Sequence, residues 1–175
     1  MKKRLIITLL GVLFHLNTNA QNYIYKGNKQ YEATNTWKFS LNAYYWANSN
    51  PEITIAKNEN GGYLMLSIVV PFSFDVIKGN LTIILEDGTM IKCIDKGIRD
   101  YVDETSTNLY FLTFQEIEKM KNSRISKIRF NISRRGENMP YTASNYRENY
   151  YISFENNDEK KYYETDEEIT NLFDE

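Results

Sequence analysis

The strongest constraint on the fold is a repeated alternation of apolar and polar residues, interrupted by short turn signals. Every second residue is large and aliphatic within Tyr63–Val70, and the same period returns in Leu81–Leu85 and Ile128–Ile132. Successive side chains of a β-strand point to opposite faces, so this period predicts strands with one buried face. Asn60–Gly62 and Asp87–Gly88 supply residues that tolerate the positive φ of tight hairpin turns.

The same reasoning predicts strands in less regular parts of the chain. A long first strand is predicted over Trp37–Trp46, with Trp37 and Phe39 on its inner face. Residues 21–35 are predicted to form a lead-in segment or an edge strand. A loop is predicted from Arg134 to about Arg147, and a last strand over Tyr150–Phe154.

One helix is predicted within this β pattern, over residues of about 114–121. Thr113 and Glu116 have the spacing of a capping box, in which two side chains satisfy free backbone amides at a helix start. Phe114, Ile117 and Met120 then form a single apolar stripe. The strand that follows begins with Ile125 out of phase, which predicts a β-bulge or a late strand start there.

Together these elements predict a mainly β protein, with the strands arranged as a single-domain antiparallel β-sandwich or barrel-like roll and one short capped helix. Residues 21–155 are expected to form this globular domain. Residues 156–175 are polar and acidic, which favours a solvated, flexible tail or a frayed helix. The pattern leaves the strand order and the oligomeric state open.

The first twenty residues form a separate unit. Basic residues at positions 2–4 precede an apolar run over Leu5–Phe14, and the small Ala20 follows a polar stretch. This order is typical of a cleaved secretory signal peptide. A helix formed by that run would span only about 15 Å of the roughly 30 Å hydrocarbon layer. We therefore predict a mature protein that starts at Gln21, is exported to the periplasm or outside the cell, and has no membrane span; a retained anchor is the alternative.

Charge is unevenly distributed along the chain. The 21 basic and 23 acidic residues of the full sequence become 18 basic and 23 acidic when the three basic residues of the leader are removed. From Glu155 onward there are nine acidic residues and two lysines. A nucleic-acid-binding protein shows a concentrated basic surface instead. Nucleic acid is therefore not expected among the partners.

Histidine and cysteine usage narrows the possible chemistry. His15 is the one histidine and lies in the leader, so the mature protein would contain none. This excludes hydrolases of the Ser-His-Asp and Cys-His types and zinc sites with the usual ligands. Cys93 is the one cysteine, which rules out an intramolecular disulfide, and its alternation with Ile91 predicts a buried, inert thiol. No cofactor and no metal are expected.

Tyr44 and Trp46 are the candidate ligand-binding residues. They lie two positions apart on the polar-looking face of the predicted first strand, so both rings project to the same side. Exposed aromatic rings in that arrangement suit stacking on a sugar or a protein contact. The alternative is that this strand is central and buried on both faces.

Two groups of charged residues, one acidic and one basic, are further candidate sites. Asp100, Asp103 and Glu104 carry oxygen ligands of the type that Ca²⁺ prefers, but they lack the spacing of a known calcium loop, and an ordinary turn is the simpler interpretation. These residues, or Asp75 with Glu86, could supply the two carboxylates of a glycosidase. A basic stretch after the helix could contact an anionic polymer or the acidic tail of a neighbouring copy, or could simply face water; it contains Arg124, Lys127, Arg129, Arg134 and Arg135.

These observations favour an exported, non-enzymatic β domain that binds a protein or a glycan in the cell envelope or outside the cell. The prediction depends on the leader, the missing histidine and the abundance of tyrosine and tryptophan. Two alternatives remain open. One is a carboxylate-dependent hydrolase that acts on polysaccharide, and the other is a structural subunit of a surface assembly with an exposed strand.

Overall fold

The chain folds mainly as β-structure in two antiparallel sheets, which confirms the predicted fold class. A computed structural model describes residues 22–42, 49–147 and 162–174. Strand makes up 56% of the described residues and helix 14%, and the arrangement is that of a β-sandwich. Within the described ranges, no helix has the length and apolar character needed to cross a membrane.

Seven strands form the first sheet: β1 (Asn22–Lys26), β2 (Lys29–Ala33), β3 (Trp37–Lys38), β5 (Glu52–Asn58), β6 (Gly61–Val69), β10 (Asp95–Val102) and β11 (Thr105–Leu112). Six form the second sheet: β4 (Ser40–Leu41), β7 (Val76–Ile77), β8 (Leu81–Leu85), β9 (Met90–Cys93), β12 (Ile125–Arg134) and β13 (Glu137–Ser144). The order in the first sheet is β1-β2-β5-β6-β11-β10, with β3 paired to β5. The order in the second is β4-β13-β12-β8-β9, with β7 paired to β12.

The segment predicted as one long first strand instead crosses between the sheets. Trp37 pairs with Ile53 in the first sheet, whereas Leu41 pairs with Ala143 in the second. Phe39 lies between these two pairings and is fully buried. Apolar residues therefore do alternate from Trp37 to Leu41, but the first of them belongs to one sheet and the last to the other. Residues 43–48, including Tyr44 and Trp46, lie outside the described ranges.

The core lies between the two sheets and is built from the predicted inward-facing residues. Trp37, Tyr110, Phe39 and Phe130 are its largest fully buried side chains. Around them lie the aliphatic residues at alternate positions of the paired strands: Ile53, Ile55, Leu64, Leu66, Ile68, Leu81, Ile83, Ile91, Ile128 and Ile132. Burial of these apolar surfaces supplies the main driving force for folding.

The predicted turns and the bulge are confirmed, with one correction. β5 and β6 pair from Asn58↔Gly61 onward, and the pairing of β12 with β8 shifts register between Ile125 and Lys127. The loop predicted from Arg134 to Arg147 is wrong. Arg135 and Gly136, with φ of 50° and 91°, form a tight turn, and β13 returns directly along β12. Arginine rarely adopts positive φ, so its presence at the turn did not indicate a hairpin in the sequence.

One strand, β10, had no recognisable signal in the sequence. It covers Asp95–Val102 at an edge of the first sheet, where β11 is its one partner among the described strands. Its residues are exposed or half-buried on both faces, so apolar and polar positions do not alternate. The segments predicted as a lead-in or edge form β1 and β2, and β1 is the opposite edge of the same sheet.

The predicted helix is confirmed as α1 (Phe114–Asn122). The Thr113 hydroxyl accepts a hydrogen bond from the backbone N–H of Glu116 at 3.3 Å, and the Glu116 carboxylate accepts from the backbone N–H of Thr113 at 2.7 Å. Ile117 and Met120 are buried, whereas Phe114 remains 56% exposed. The capping box thus fixes the start of α1, and two residues of the stripe anchor it to the sandwich.

The prediction of a solvated tail is wrong for residues 165–174, which form α2 (Thr165–Asp174). Ile169 is fully buried in the main core, and Phe173 packs against the same cluster. The Thr165 hydroxyl accepts a hydrogen bond from the backbone N–H of Ile125 at 2.9 Å. The average composition of the segment is acidic, but Ile169, Leu172 and Phe173 form a helical stripe that outweighs it.

Ion pairs and hydrogen bonds hold α2 and the turn before it at three further points. Lys121 of α1 pairs with Asp174 at 2.6 Å, and Arg124 pairs with Glu164 at 2.6 Å. The Glu168 carboxylate accepts from the backbone and side-chain N–H groups of Asn35, each at 3.1 Å. Several acidic residues of this segment therefore form specific contacts with the rest of the sandwich.

A polar network ties β10 and β11 to the loop before β8. Asp95 forms an ion pair with Arg99 and accepts a hydrogen bond from the backbone N–H of Gly79 at 2.6 Å. Burial alone would raise the pKa of Asp95, but donation from the Gly97 and Gly79 amides outweighs it, so the pKa lies below its usual value. The Tyr110 hydroxyl donates to the Gly79 carbonyl at 3.1 Å.

We predict that Phe130→Ala lowers the free energy of unfolding by roughly 3–5 kcal/mol, because a buried aromatic ring would leave a cavity. Phe130 is 2% exposed and stacks with Tyr141. Urea unfolding measures the change. Phe114→Ala, at a 56% exposed position, is the control and should change stability by less than about 0.5 kcal/mol. Equal, small effects of both variants would contradict the assigned strand phase.

A second stability prediction concerns α2. Ile169→Ala should lower the free energy of unfolding by about 2–5 kcal/mol, since Ile169 is fully buried against the sandwich. Asn171→Ala on the same helix lies at an exposed position and should leave stability nearly unchanged. If thermal unfolding of the Ile169 variant matched that of the wild type, the packing of α2 on the body would be refuted.

Candidate functional site

The outer face of the first sheet carries a second apolar cluster, separate from the main core. Its buried members are Ile24, Ala33, Ala56, Tyr63 and Leu109. Strand register aligns one row across four strands: Ala33 faces Ala56, Ala56 faces Tyr63, and Tyr63 faces Phe111. Two small residues therefore lie beside two large aromatic ones, which creates a step on this face.

Three aromatic rings pack edge to face at that step. The ring centroids of Tyr31 and Tyr63 are 5.0 Å apart with planes at 81°, and those of Tyr63 and Phe111 are 5.1 Å apart with planes at 72°. Edge-to-face packing is a favourable aromatic arrangement. Tyr63 is 8% exposed and forms the base, whereas Phe111 is 40% exposed.

Lys26 of β1 covers part of this cluster. Its Nζ atom lies 4.8 Å from the Tyr63 ring centroid and 4.9 Å from that of Phe111. The same atom donates a hydrogen bond to the Tyr63 hydroxyl at 3.4 Å. A cation over two ring faces fixes both rings and places a positive charge beside them.

A cleft of about 690 Å³ opens beside these rings. We call it the aromatic cleft, and it is lined by Lys29, Gln30, Tyr31, Glu32, Lys57, Asn58, Glu59, Asn60 and Tyr63. The β1–β2 hairpin forms one wall and the β5–β6 turn the other. Except for the two tyrosines, the lining is polar, with both donors and acceptors of hydrogen bonds.

Two interactions define the local electrostatics. Hydrogen bonding with Tyr63 raises the pKa of Tyr31 above its usual value, so its hydroxyl stays protonated at neutral pH. Lys57 donates from Nζ to the backbone carbonyl of Leu172 at 3.2 Å. One wall of the aromatic cleft is therefore attached to the end of α2.

The sequence held part of the information needed to find this site. The alternation that places Leu64 and Leu66 inward necessarily places Tyr63 and Met65 outward. What it could not show is that β2 lies next to β5, which brings Tyr31 to Tyr63. The predicted site residues Tyr44 and Trp46 lie outside the described ranges and stay a prediction.

The acidic candidates Asp100, Asp103 and Glu104 all lie on the β10–β11 hairpin. Asp103 and Glu104, with φ of 48° and 62°, form the tip of the β10–β11 hairpin, in agreement with an ordinary turn. Among the residues that the structure describes, no three acidic, cysteine or histidine side chains converge as metal ligands.

The proposed pairing of Asp75 with Glu86 as glycosidase carboxylates is wrong. Asp75 directly precedes β7, which pairs with Ser133, and forms an ion pair with Arg134 at 3.6 Å. Glu86 lies at the opposite end of β12, where it accepts a hydrogen bond from Arg124 at 3.0 Å. The length of β12 puts them some 25 Å apart, beyond the roughly 5–9.5 Å of such enzymes.

The thiol of Cys93 is buried on the inner face of β9. Burial, with a smaller contribution from the charge of Glu116, raises its pKa to about 12. The thiolate is the nucleophilic form, so this cysteine is unreactive at neutral pH.

Comparison with protein-family models, with curated proteins and with solved structures found no match to this chain. No known relative therefore indicates the function, which has to be inferred from this chain itself.

We predict that Cys93 does not react with a thiol-specific disulfide reagent at about pH 8 in the native protein, because its pKa is about 12 and its side chain is buried. Absorbance of the released thiolate measures the reaction. The same protein in guanidinium chloride is the control and should release one equivalent. Rapid labelling of the folded protein would contradict the burial of β9.

Proposed function

We propose that this protein acts by binding rather than by catalysis, and that the aromatic cleft receives a glycan chain. The observation that carries the proposal is the position of Tyr31 and Tyr63 beside a polar cleft of about 690 Å³. Binding of an exposed protein segment is the second possibility, since aromatic and cationic side chains also serve protein contacts.

The chemistry of the cleft favours a sugar. The C–H faces of a pyranose are apolar and suit an aromatic ring, whereas its hydroxyl groups need donors and acceptors around the edge. Tyr31 supplies the ring and a protonated hydroxyl, and Gln30, Asn58 and Asn60 supply amides on the lining.

The predicted leader supports a place of action in the periplasm or outside the cell. Glycans and exposed protein segments are both available there, and folding in that compartment needs no disulfide from this chain. Tyr44 and Trp46 stay candidate contributors to binding.

A carboxylate-dependent hydrolase that acts on polysaccharide is the alternative, and one observation favours it: Glu32 and Glu59 both line the aromatic cleft. Such an enzyme would need both carboxyl groups, one as acid and one as base or nucleophile. Glu32→Gln and Glu59→Gln would then each abolish sugar release. A pure binding protein would release no sugar in any form.

The proposal predicts a loss of affinity on removal of the Tyr31 ring, which lines the aromatic cleft. A glycan array identifies a ligand, and Tyr31→Ala should weaken its binding about tenfold, since a stacked ring is lost. Phe114→Ala on α1 removes an exposed ring that does not line the cleft, and should bind as the wild type does.

Two results would count against the proposal. Unchanged affinity of the Tyr31 variant would remove the aromatic cleft from the binding site. An array without a hit, together with a pull-down from envelope extract that retains no partner, would refute a binding role altogether. A pull-down partner that is lost in the Tyr31 variant would instead assign the cleft to a protein.

A further inference from the structure

The outer face of the second sheet has a different character, which follows from its register. One row crosses four strands: Lys92 faces Thr82, Thr82 faces Arg129, and Arg129 faces Thr142. The adjacent row contains Met90, Ile84, Lys127, Ser144 and Ser40. We call these two rows the basic face. It carries three cations and no carboxylate.

Within the described ranges, the cations of the basic face have no acidic partner. Lys92, Lys127 and Arg129 are all exposed, and none of them forms an ion pair in the part of the chain that the structure describes. Lys127 and Arg129 lie two residues apart on β12, so they project from the same face about 7 Å apart.

The other members of the basic stretch in the sequence are occupied elsewhere. Arg135 lies in the β12–β13 turn, with its guanidinium 5.5 Å from the Phe74 ring centroid. Arg124 pairs with Glu86 and Glu164. Arg134 pairs with Asp75 and lies over the ring of Phe72. The structure thus reduces the original five basic residues to two on this face and adds Lys92 from a neighbouring strand.

A shallow groove of about 160 Å³ surrounds Arg129. Besides Arg129, its polar lining residues are Asn80, Thr82, Asn131, Tyr141 and Thr142, and Phe130 and Pro140 complete the lining. The guanidinium can donate two parallel hydrogen bonds to a carboxylate, and the flanking hydroxyl and amide groups can donate to or accept from neighbouring hydroxyls.

We propose that the basic face is a second binding site, for an anionic polysaccharide whose sugar residues carry carboxylates. Arg129 holds one carboxylate, Lys127 and Lys92 attract its neighbours along the chain, and Thr82 and Thr142 contact sugar hydroxyls. The two rows contain no aromatic ring, and the Tyr141 ring beside the groove is half-buried and stacked on the buried Phe130. The face is therefore a poor platform for single-stranded nucleic acid and gives a protein partner no exposed aromatic anchor. This site lies on the opposite side of the sandwich from the aromatic cleft and does not depend on it.

The test measures binding of polygalacturonate, with neutral dextran as the uncharged comparison, by affinity electrophoresis and calorimetry. The wild type should bind polygalacturonate and not dextran, and an increase from about 0.05 M to about 0.5 M NaCl should abolish binding. Arg129→Gln should weaken binding about tenfold, because a charge-assisted bond is lost.

Two further variants separate site chemistry from net charge. Lys119→Gln changes the net charge equally at an exposed position of α1, away from the basic face, and should bind as the wild type does. Thr82→Val keeps the charge and shape and should weaken binding about threefold, through loss of a hydroxyl. Should Arg129→Gln fail to fold, by circular dichroism, Thr82→Val decides the test.

Several outcomes would overturn the proposal. Equal losses in Arg129→Gln and Lys119→Gln would show a general charge effect, and equal affinity for duplex DNA would show nonspecific binding of polyanions. Self-association without polysaccharide that Arg129→Gln abolishes would assign the face to a second copy of the chain. Tyr31→Ala should bind polygalacturonate normally, so failure of this site and failure of the aromatic cleft are distinguishable.

Discussion

Trp37 and Phe39 lie where the chain passes from one sheet to the other, and both are completely buried between the sheets. The backbone N–H of Phe39 donates to the Pro51 carbonyl at 3.0 Å, so this buried donor is satisfied outside the regular strand pairing. These rings determine which side chains of each strand point into the core, and they therefore also determine which side chains point outward. The aromatic cleft and the basic face are both consequences of that single core.

Much of the fold could be predicted because period-two alternation is strong wherever one face of a strand is buried. This holds for β6, β8, β9 and β12, including the bulge after Ile125. It fails for β10, whose residues are exposed or half-buried on both faces, and for the turn at Arg135–Gly136, where an arginine adopts positive φ. The helix α2 was missed for a different reason: its three apolar residues are surrounded by acidic ones, so the average composition of the segment is polar.

The aromatic cleft and the basic face were less predictable, because strand order decides which side chains meet. Nothing local in the sequence places Tyr31 against Tyr63 or Lys92 in line with Arg129; each pair requires knowledge of neighbouring strands. Charge composition is equally unable to predict which basic residues remain exposed. Five basic residues close in sequence divide into ion-paired ones, such as Arg124, and exposed ones, such as Arg129, only after the sheet is formed.

The attachment of α2 has a consequence for how the chain acquires its structure. Contacts from Glu168 to Asn35 and from Leu172 to Lys57 join residues 133 and 115 positions apart. Closing loops of that length is entropically costly, and topologies with such distant contacts fold slowly. We expect α2 to dock after the sheets have paired. Until then a partly folded intermediate would expose the site that Ile169 later fills, which makes this stage the most prone to aggregation.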